Sequence, residues 1–201
     1  MNLIKTNKIA ALVILMTILT FNILAQELGS KENNTEISLE IDPATFVFNG
    51  YGFHIRLKPQ NSNHLLFGLG TYAMDMPDIL IELNSNNKDK GWDVRLNQAY
   101  GLFGEYHFEE VNKKWFVGEQ ISIQEYKISN DIEEGNKKFS NLLLMTYGGY
   151  TWKPFSSNFY IKPWAGIAYT SKISGENNHG NLEYDIAPIL MFATLHIGYT
   201  F

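Results

Sequence analysis

The chain has 201 residues, enough for one domain, and its 21 acidic residues outnumber its 16 basic ones. This balance argues against nucleic-acid binding by a basic surface, and the absence of cysteine excludes disulfides, thiolate metal sites and a lipidated N-terminal cysteine. No apolar run after residue 25 is long enough for a transmembrane helix, yet 14% of the residues are aromatic, a combination that suits a β-barrel.

Residues 1–25 predict a cleaved signal peptide. A basic start is followed by an apolar run from Ile9 to Ile18 and by a small-residue cleavage site at Ala25. The run is shorter than the roughly 20 residues of a spanning helix, which argues against the alternative, a retained N-terminal anchor. Residues 26–34 are polar and without periodicity, so we expect a flexible leader before one domain at 35–201.

Alternating apolar residues predict a series of β-strands in the rest of the chain. The first, Glu36–Ile41, is ended or kinked by Asp42-Pro43, and the second runs from Thr45 to Lys58. Asn49-Gly50 is a strong hairpin dipeptide and could instead place the first turn there. The other strands are predicted near His64–Met74, Asp93–Phe108, Trp115–Ile128, Phe139–Lys153, Phe159–Ile173 and Glu183–Phe201.

The phase of two strands bears on what faces the lumen. In the fourth, one alternation joins Val94 and Leu96 to Tyr100 and Leu102, so we expect all four on one face. In the fifth, Glu119 falls out of phase with its neighbours, which predicts a β-bulge or an error of register there.

The segment Asp75–Trp92 is too long for a tight turn and unusually apolar in its first half. Asp75 could cap a short helix with Pro77 in its first turn. This helix would carry an apolar cluster that we expect over the barrel mouth or on the outer leaflet: Ile79, Leu80, Ile81 and Leu83. Packing of the loop on its own neighbours is the simpler interpretation, and a gate for a ligand is the alternative.

The last segment, Ile189–Phe201, alternates apolar and small or polar residues and ends on an aromatic one. It resembles the C-terminal strand of bacterial outer-membrane β-barrels, in which such a pattern with a terminal phenylalanine is the assembly signal. The resemblance gives this role to Leu195, Ile197, Tyr199 and Phe201, and implies recognition by the barrel-assembly machinery. In size, strand count and terminus, the whole chain resembles the small barrels of the OmpA/OmpX/OmpW type.

The predicted fold class is therefore all-β: an antiparallel, transmembrane, up-and-down barrel of about eight strands in the bacterial outer membrane. With Phe201 in the periplasm, the short turns lie inside and the longer loops outside, including Ser129–Lys137. We expect an outer aromatic girdle of Trp92, Tyr126, Phe139, Tyr169 and Tyr184, and an inner one of Phe108, Trp115, Trp152, Phe155, Phe159, Tyr199 and Phe201. The rival fold, a soluble barrel of lipocalin type, would bury its apolar residues inside.

Catalytic motifs and metal-site spacings are absent, and the histidines are scattered singly, so we predict neither an enzyme nor a cofactor. Some eight-stranded outer-membrane barrels modify lipid A, and the deacylases among them carry a His-x-Ser-Asn run on a late strand. Here the comparable positions read Tyr169-Thr170-Ser171-Lys172, which leaves Ser171 without a visible base.

The inward phase of several strands predicts a layer of charge in the periplasmic half of the lumen: Arg56, Glu105, His107, Lys162 and His196. This layer would plug the barrel, so we expect a structural or surface-interaction role for a monomer in contact with outer-membrane lipid and lipopolysaccharide. The alternative is a conduit or binding protein for a small hydrophobic ligand, gated by the segment at 75–92.

Overall fold

A computed structural model describes residues 34–155 and 157–201. The predicted signal peptide at 1–25 and all of the leader except Asn34 lie outside the described residues. Eight strands form the barrel: β1 Glu36–Ile41, β2 Tyr51–Lys58, β3 Leu65–Asp75, β4 Trp92–His107, β5 Lys114–Asn130, β6 Glu133–Thr151, β7 Phe159–Gly175 and β10 Ile189–Thr200. They close an antiparallel barrel in the order β1-β10-β7-β6-β5-β4-β3-β2. The short strands β8 Asn178–His179 and β9 Leu182–Glu183 form a separate small sheet.

The outside of the barrel is apolar along the middle of its strands, while the inside holds buried charged and polar side chains beside an apolar cluster around Phe103 and Leu143. Phe53, Ile55, Leu69 and Ile123 point outward and are about half exposed, whereas the alternating positions on the same strands, such as Arg56, are buried. Because a soluble barrel has the opposite arrangement, this is a transmembrane barrel of the small outer-membrane type, and the predicted fold class is confirmed. Among the described residues, no helix has the length and hydropathy to span a bilayer.

The first connection contains a helix where the sequence pattern predicts the start of a strand. Pro43–Val47 forms the short helix α1, which Asp42 caps by accepting a hydrogen bond from the Ala44 amide at 2.9 Å. Asn49 has a positive φ of 51° and lies in the turn before β2, so the first connection ends at Asn49-Gly50, as the alternative places it, although it also contains α1. The predicted strand Thr45–Lys58 is thus wrong at its start, because Asp-Pro favours a helix N-terminus over continued alternation.

A β-bulge in β4 reverses the phase of its upper half. Leu96 pairs with Tyr126 but Gln98 pairs with Glu125, so β4 carries one extra residue relative to β5. As a result Leu96 is 3% exposed and faces inward, whereas Leu102 is 57% exposed and faces outward. The expectation that Val94 and Leu96 share a face with Tyr100 and Leu102 is therefore wrong.

The bulge predicted in the fifth strand is also wrong. Glu119 pairs with Gly104 on one side and Thr146 on the other, within an unbroken register. It therefore keeps the outward phase of Val117 and Ile121, and it is a carboxylate on the outer face of the barrel.

The extracellular end of the barrel holds an apolar core, which we call the outer core: Ile81, Trp92, Val94, Leu96, Ala99, Tyr126, Ile128, Phe139 and Tyr184. The predicted outer girdle is wrong for Trp92, Tyr126, Phe139 and Tyr184, because these side chains fill the lumen. The inner rim differs, since Phe108, Trp115, Trp152, Phe155, Tyr199 and Phe201 are exposed there. The predicted loop Ser129–Lys137 is mostly strand, with a turn at Asp131-Ile132 between β5 and β6.

The segment between β3 and β4 contains the one-turn helix α2, Asp78–Ile81, and a 3-10 helix at Ser85–Asn87. The N-cap of α2 is Pro77, whereas Asp75 is the last residue of β3 and forms an ion pair with Arg95. The predicted apolar cluster does not form: Ile81 is 5% exposed and joins the outer core, Leu80 is half-buried, and Ile79 and Leu83 are 75% and 50% exposed. A single helical turn can bury only one face, and it buries the face that carries Ile81.

Candidate functional site: a charged layer across the lumen

Four charged side chains from four strands meet inside the barrel, and we call them the charged layer: Glu40 from β1, Arg56 from β2, Glu105 from β4 and Lys162 from β7. Each lies in the inward phase of its strand, and each is almost completely buried. A burial this complete requires every charge to be compensated inside the lumen.

The two cations and the two carboxylates form a closed ring of ion pairs. The Lys162 ammonium lies 2.7 Å from Glu40 Oε1 and 2.9 Å from Glu105 Oε2. The Arg56 guanidinium lies 2.9 Å from Glu40 Oε2 through Nε and 3.4 Å from Glu105 Oε1 through Nη1. The formal charges therefore cancel within the ring.

Each carboxylate of the layer also accepts hydrogen bonds from neighbouring side chains outside the ring of ion pairs. The Tyr160 hydroxyl donates to Glu40 at 2.8 Å and the Tyr147 hydroxyl to Glu105 at 2.9 Å. The rings of His196 and His107 lie within hydrogen-bond distance of Glu40 and Glu105, at 3.0 Å and 3.2 Å. Aromatic faces cover the cations, with Phe103 4.4 Å from the Arg56 guanidinium carbon and Phe116 5.0 Å from the Lys162 ammonium.

Two glycines give the tyrosines the space to reach the carboxylates. Gly198 lies in register between Glu40 and Tyr160, and a Cβ added there would stand 2.2 Å from the Tyr160 ring. Gly118 lies in register between Glu105 and Tyr147, and a Cβ there would stand 2.7 Å from the Tyr147 ring. Each half of the layer is therefore built as a carboxylate, a glycine and a tyrosine side by side on three adjacent strands.

The structure brings together the five residues that the sequence places in the lumen: Arg56, Glu105, His107, Lys162 and His196. Sequence reasoning missed Glu40, although the alternation of Ile37, Leu39 and Ile41 with polar residues put it on the inward face. It also missed Tyr147 and Tyr160, because aromatic residues in a barrel sequence are read first as lipid-facing.

A metal ion does not fit the layer. One donor atom each from Glu40, His54 and His196 lies within 4.8 Å of the others, the spacing of a small metal site. Glu40, however, already accepts hydrogen bonds from Tyr160 and Lys162 at one oxygen and from Arg56 and His196 at the other. Its lone pairs are occupied, and the two adjacent cations would repel a divalent ion.

The ionisable groups of the charged layer are engaged with one another. Both carboxylates of the layer are held by cations, and Ser171, which the sequence leaves without a visible base, lies on the outer face of β7 opposite Leu142. His54, His107 and His196 lie inside the lumen. What the layer can do chemically is to cross-link strands and fill the lumen.

No protein-family model and no curated protein matches the chain. Among solved structures, the N-terminal β-barrel domain of OprF from Pseudomonas aeruginosa is similar over 86% of this chain and 100% of its own, with 15% identity and a TM-score of 0.45. A major outer membrane protein from Thermus thermophilus is similar over 84% and 100%, with 11% identity and a TM-score of 0.47. Neisserial surface protein A is similar over 85% and 98%, with 11% identity and a TM-score of 0.38.

Proposed function

We propose that this chain is a closed, non-conducting scaffold of the bacterial outer membrane that carries its extracellular loops on a plugged barrel. The observation that carries this proposal is the charged layer, in which Glu40, Arg56, Glu105 and Lys162 cross-link four strands in the lumen. In an eight-stranded barrel the interior is only wide enough for side chains to fill, so one such layer closes the water path.

The outer core favours the closed scaffold over the alternative function, a conduit for a small hydrophobic ligand. A conduit gated by the segment at 75–92 needs an open apolar space beneath that segment. Here the side chains of Ile81, Trp92 and Tyr184 pack there with those of β4, β5 and β6. Buried Asn87 also ties the loop together and to the segment before β10, because it donates to the backbone oxygens of Ile81 at 2.9 Å and Asp185 at 2.7 Å.

Conductance tests the proposal directly. Protein folded into planar lipid bilayers should give no stable current steps at high salt, because the ring of ion pairs excludes a continuous water column. Glu105→Gln removes one charge of the ring and should raise the frequency of brief openings. The matched control Glu110→Gln changes an exposed carboxylate that pairs with Lys113, and it should stay silent. Stable channels in the unmodified protein would refute the closed scaffold.

We further propose that the barrel-assembly machinery recognises the outer face of the C-terminal strand. Leu195, Ile197, Tyr199 and Phe201 alternate along that face, and the Phe201 amide donates to the Ile37 oxygen at 2.8 Å. Deleting Phe201 should reduce outer-membrane assembly in cells while export to the periplasm continues. Normal assembly of the deletion would count against this role.

A further inference from the structure

Three basic residues form a row on the outside of the barrel, across three adjacent strands. Arg95 of β4 is the register partner of Lys127 of β5, and Lys127 is the register partner of Lys138 of β6. Inward neighbours such as Tyr126 and Ile128 are buried, so the outward phase of these strands belongs to the basic residues. We call Arg95, Lys127 and Lys138 the basic row.

The height of the basic row is fixed by the residues below it on the same outer face. Descending β5 from Lys127, the outward positions are Glu125, then Ile123 and Ile121, both about half exposed. The register partners of Ile123 are Tyr100 and Leu142, so the apolar belt ends at this level. The row therefore lies just above the hydrocarbon, at the end of the barrel opposite to Phe201.

The charges of the row are incompletely compensated within the protein. Arg95 pairs with Asp75, and Lys138 lies 2.9 Å from Glu125. The Lys127 side chain forms no hydrogen bond or ion pair with the part of the chain that the structure describes. Two of the three cations thus have a carboxylate partner, and like charges directly opposite each other on neighbouring strands are unfavourable unless an anion lies between them.

From this geometry we propose that the basic row binds the phosphate groups of lipid A in the outer leaflet, an inference that rests on the outer-membrane location proposed above. Neighbouring strands are about 4.8 Å apart, so the row spans roughly 10 Å from Arg95 to Lys138. That width suits a disaccharide headgroup with a phosphate at each end, and it exceeds what one phosphodiester can cover. The Lys138 and Arg95 side chains are half to one third exposed, so they can exchange their internal partners for phosphate.

Native mass spectrometry of the folded protein with defined lipids tests the proposal. Diphosphoryl lipid A should bind more tightly than phosphatidylglycerol, and phosphatidylcholine should bind weakest. The double variant Lys127→Gln/Lys138→Gln should weaken lipid A binding about fivefold for each lysine removed, because a lysine near an anionic headgroup contributes about 1 kcal/mol. Its fold should be retained, since the change also removes like-charge repulsion.

The matched control is Lys113→Gln/Lys114→Gln, which removes two exposed lysines in and beside the turn between β4 and β5. Unchanged lipid A affinity in the control, with loss in the row variant, is the expected result. Equal affinity of the row variant and the unmodified protein would overturn the site, and equal binding of phosphatidylglycerol would overturn the assignment to lipid A. Failure of the unmodified protein to fold into lipid vesicles would instead contradict the outer-membrane location. A wrong lipid A site and a wrong location are therefore distinguishable.

Discussion

The two ends of this barrel differ in the side chains that fill the lumen, which form a charged layer at one end and an apolar core at the other. At the periplasmic end the lumen holds the charged layer, and the outer surface is apolar. At the extracellular end the lumen holds the outer core, and the outer surface carries charges such as Lys127. The difference follows from the solvent outside, because a strand surrounded by lipid exposes its apolar face and a strand surrounded by water buries it.

Strand β5 shows most clearly how the lumen-facing residues change from polar to apolar along the barrel. Its inward phase is unbroken, yet the inward residues change from Gln120, Ser122 and Gln124 to Tyr126 and Ile128. Along β5 the apolar residues therefore lie on the outer face up to Ile123 and on the inner face from Tyr126 onward. In β4 the bulge between Leu96 and Gln98 shifts the phase at the same height, so the two changes cancel in the sequence and one alternation appears continuous.

The largest effect is expected from a break in the charged layer. Glu105→Gln leaves Arg56 and Lys162 with one carboxylate between them, and loss of one partner of a buried ion pair costs about 3–5 kcal/mol. Urea unfolding of the protein in lipid vesicles should therefore show a clearly lower midpoint. Glu110→Gln at the exposed turn should leave the midpoint unchanged, and equal midpoints for the two variants would mean that the layer does not stabilise the barrel.

A smaller effect is expected in the outer core. Leu96→Ala should destabilise the protein by about 2–5 kcal/mol, because it leaves a cavity among packed side chains. Leu102→Ala makes the same change on the lipid-facing side of the same strand, where lipid can fill the space, and it should cost much less. The same unfolding measurement checks both, and equal costs would contradict the change of phase.

The smallest effect concerns the loops above the outer core. Asn87→Ala removes a hydrogen bond to the Ile81 backbone within the segment at 76–91 and another that joins this segment to the backbone of Asp185, a loss of about 1–3 kcal/mol for buried polar groups left unpaired. Limited proteolysis of the folded protein should then cut this segment faster. Asn86→Ala changes an exposed neighbour and should leave the rate unchanged, whereas equal rates in both variants would show that Asn87 does not hold the loop.

The sequence predicts the periplasmic end of the barrel well and the extracellular end poorly, for a physical reason. Alternation gives the period of a strand, but the choice of inner face needs the solvent on each side. Where lipid is outside, the rule assigns Arg56, Glu105 and Lys162 to the lumen. Above the belt the same rule sends Trp92 and Tyr126 outward, although they are buried.

Features that depend on pairing are hidden from a single sequence. The bulge in β4 is defined by its partners in β3 and β5, and the role of Gly198 depends on Glu40 and Tyr160 beside it. Local signals fare better, since Asp42-Pro43 marks the end of β1 in the sequence and caps α1 in the structure. The alternation after Pro43 predicts a strand, but the capped helix forms there instead.

A cysteine scan along β4 tests the exchange of inside and outside most directly, because the chain has no cysteine of its own. Single cysteines from position 93 to position 107 would carry a spin label in protein folded into vesicles, with collisions measured against oxygen in the lipid and a nickel chelate in the water. We predict oxygen contact at Tyr100 and Leu102, nickel contact at Asp93 and Arg95, little of either at Val94 and Leu96, and a one-residue slip of the alternation at Asn97. An unbroken alternation from 93 to 107, with Leu96 as open to oxygen as Leu102, would contradict the account.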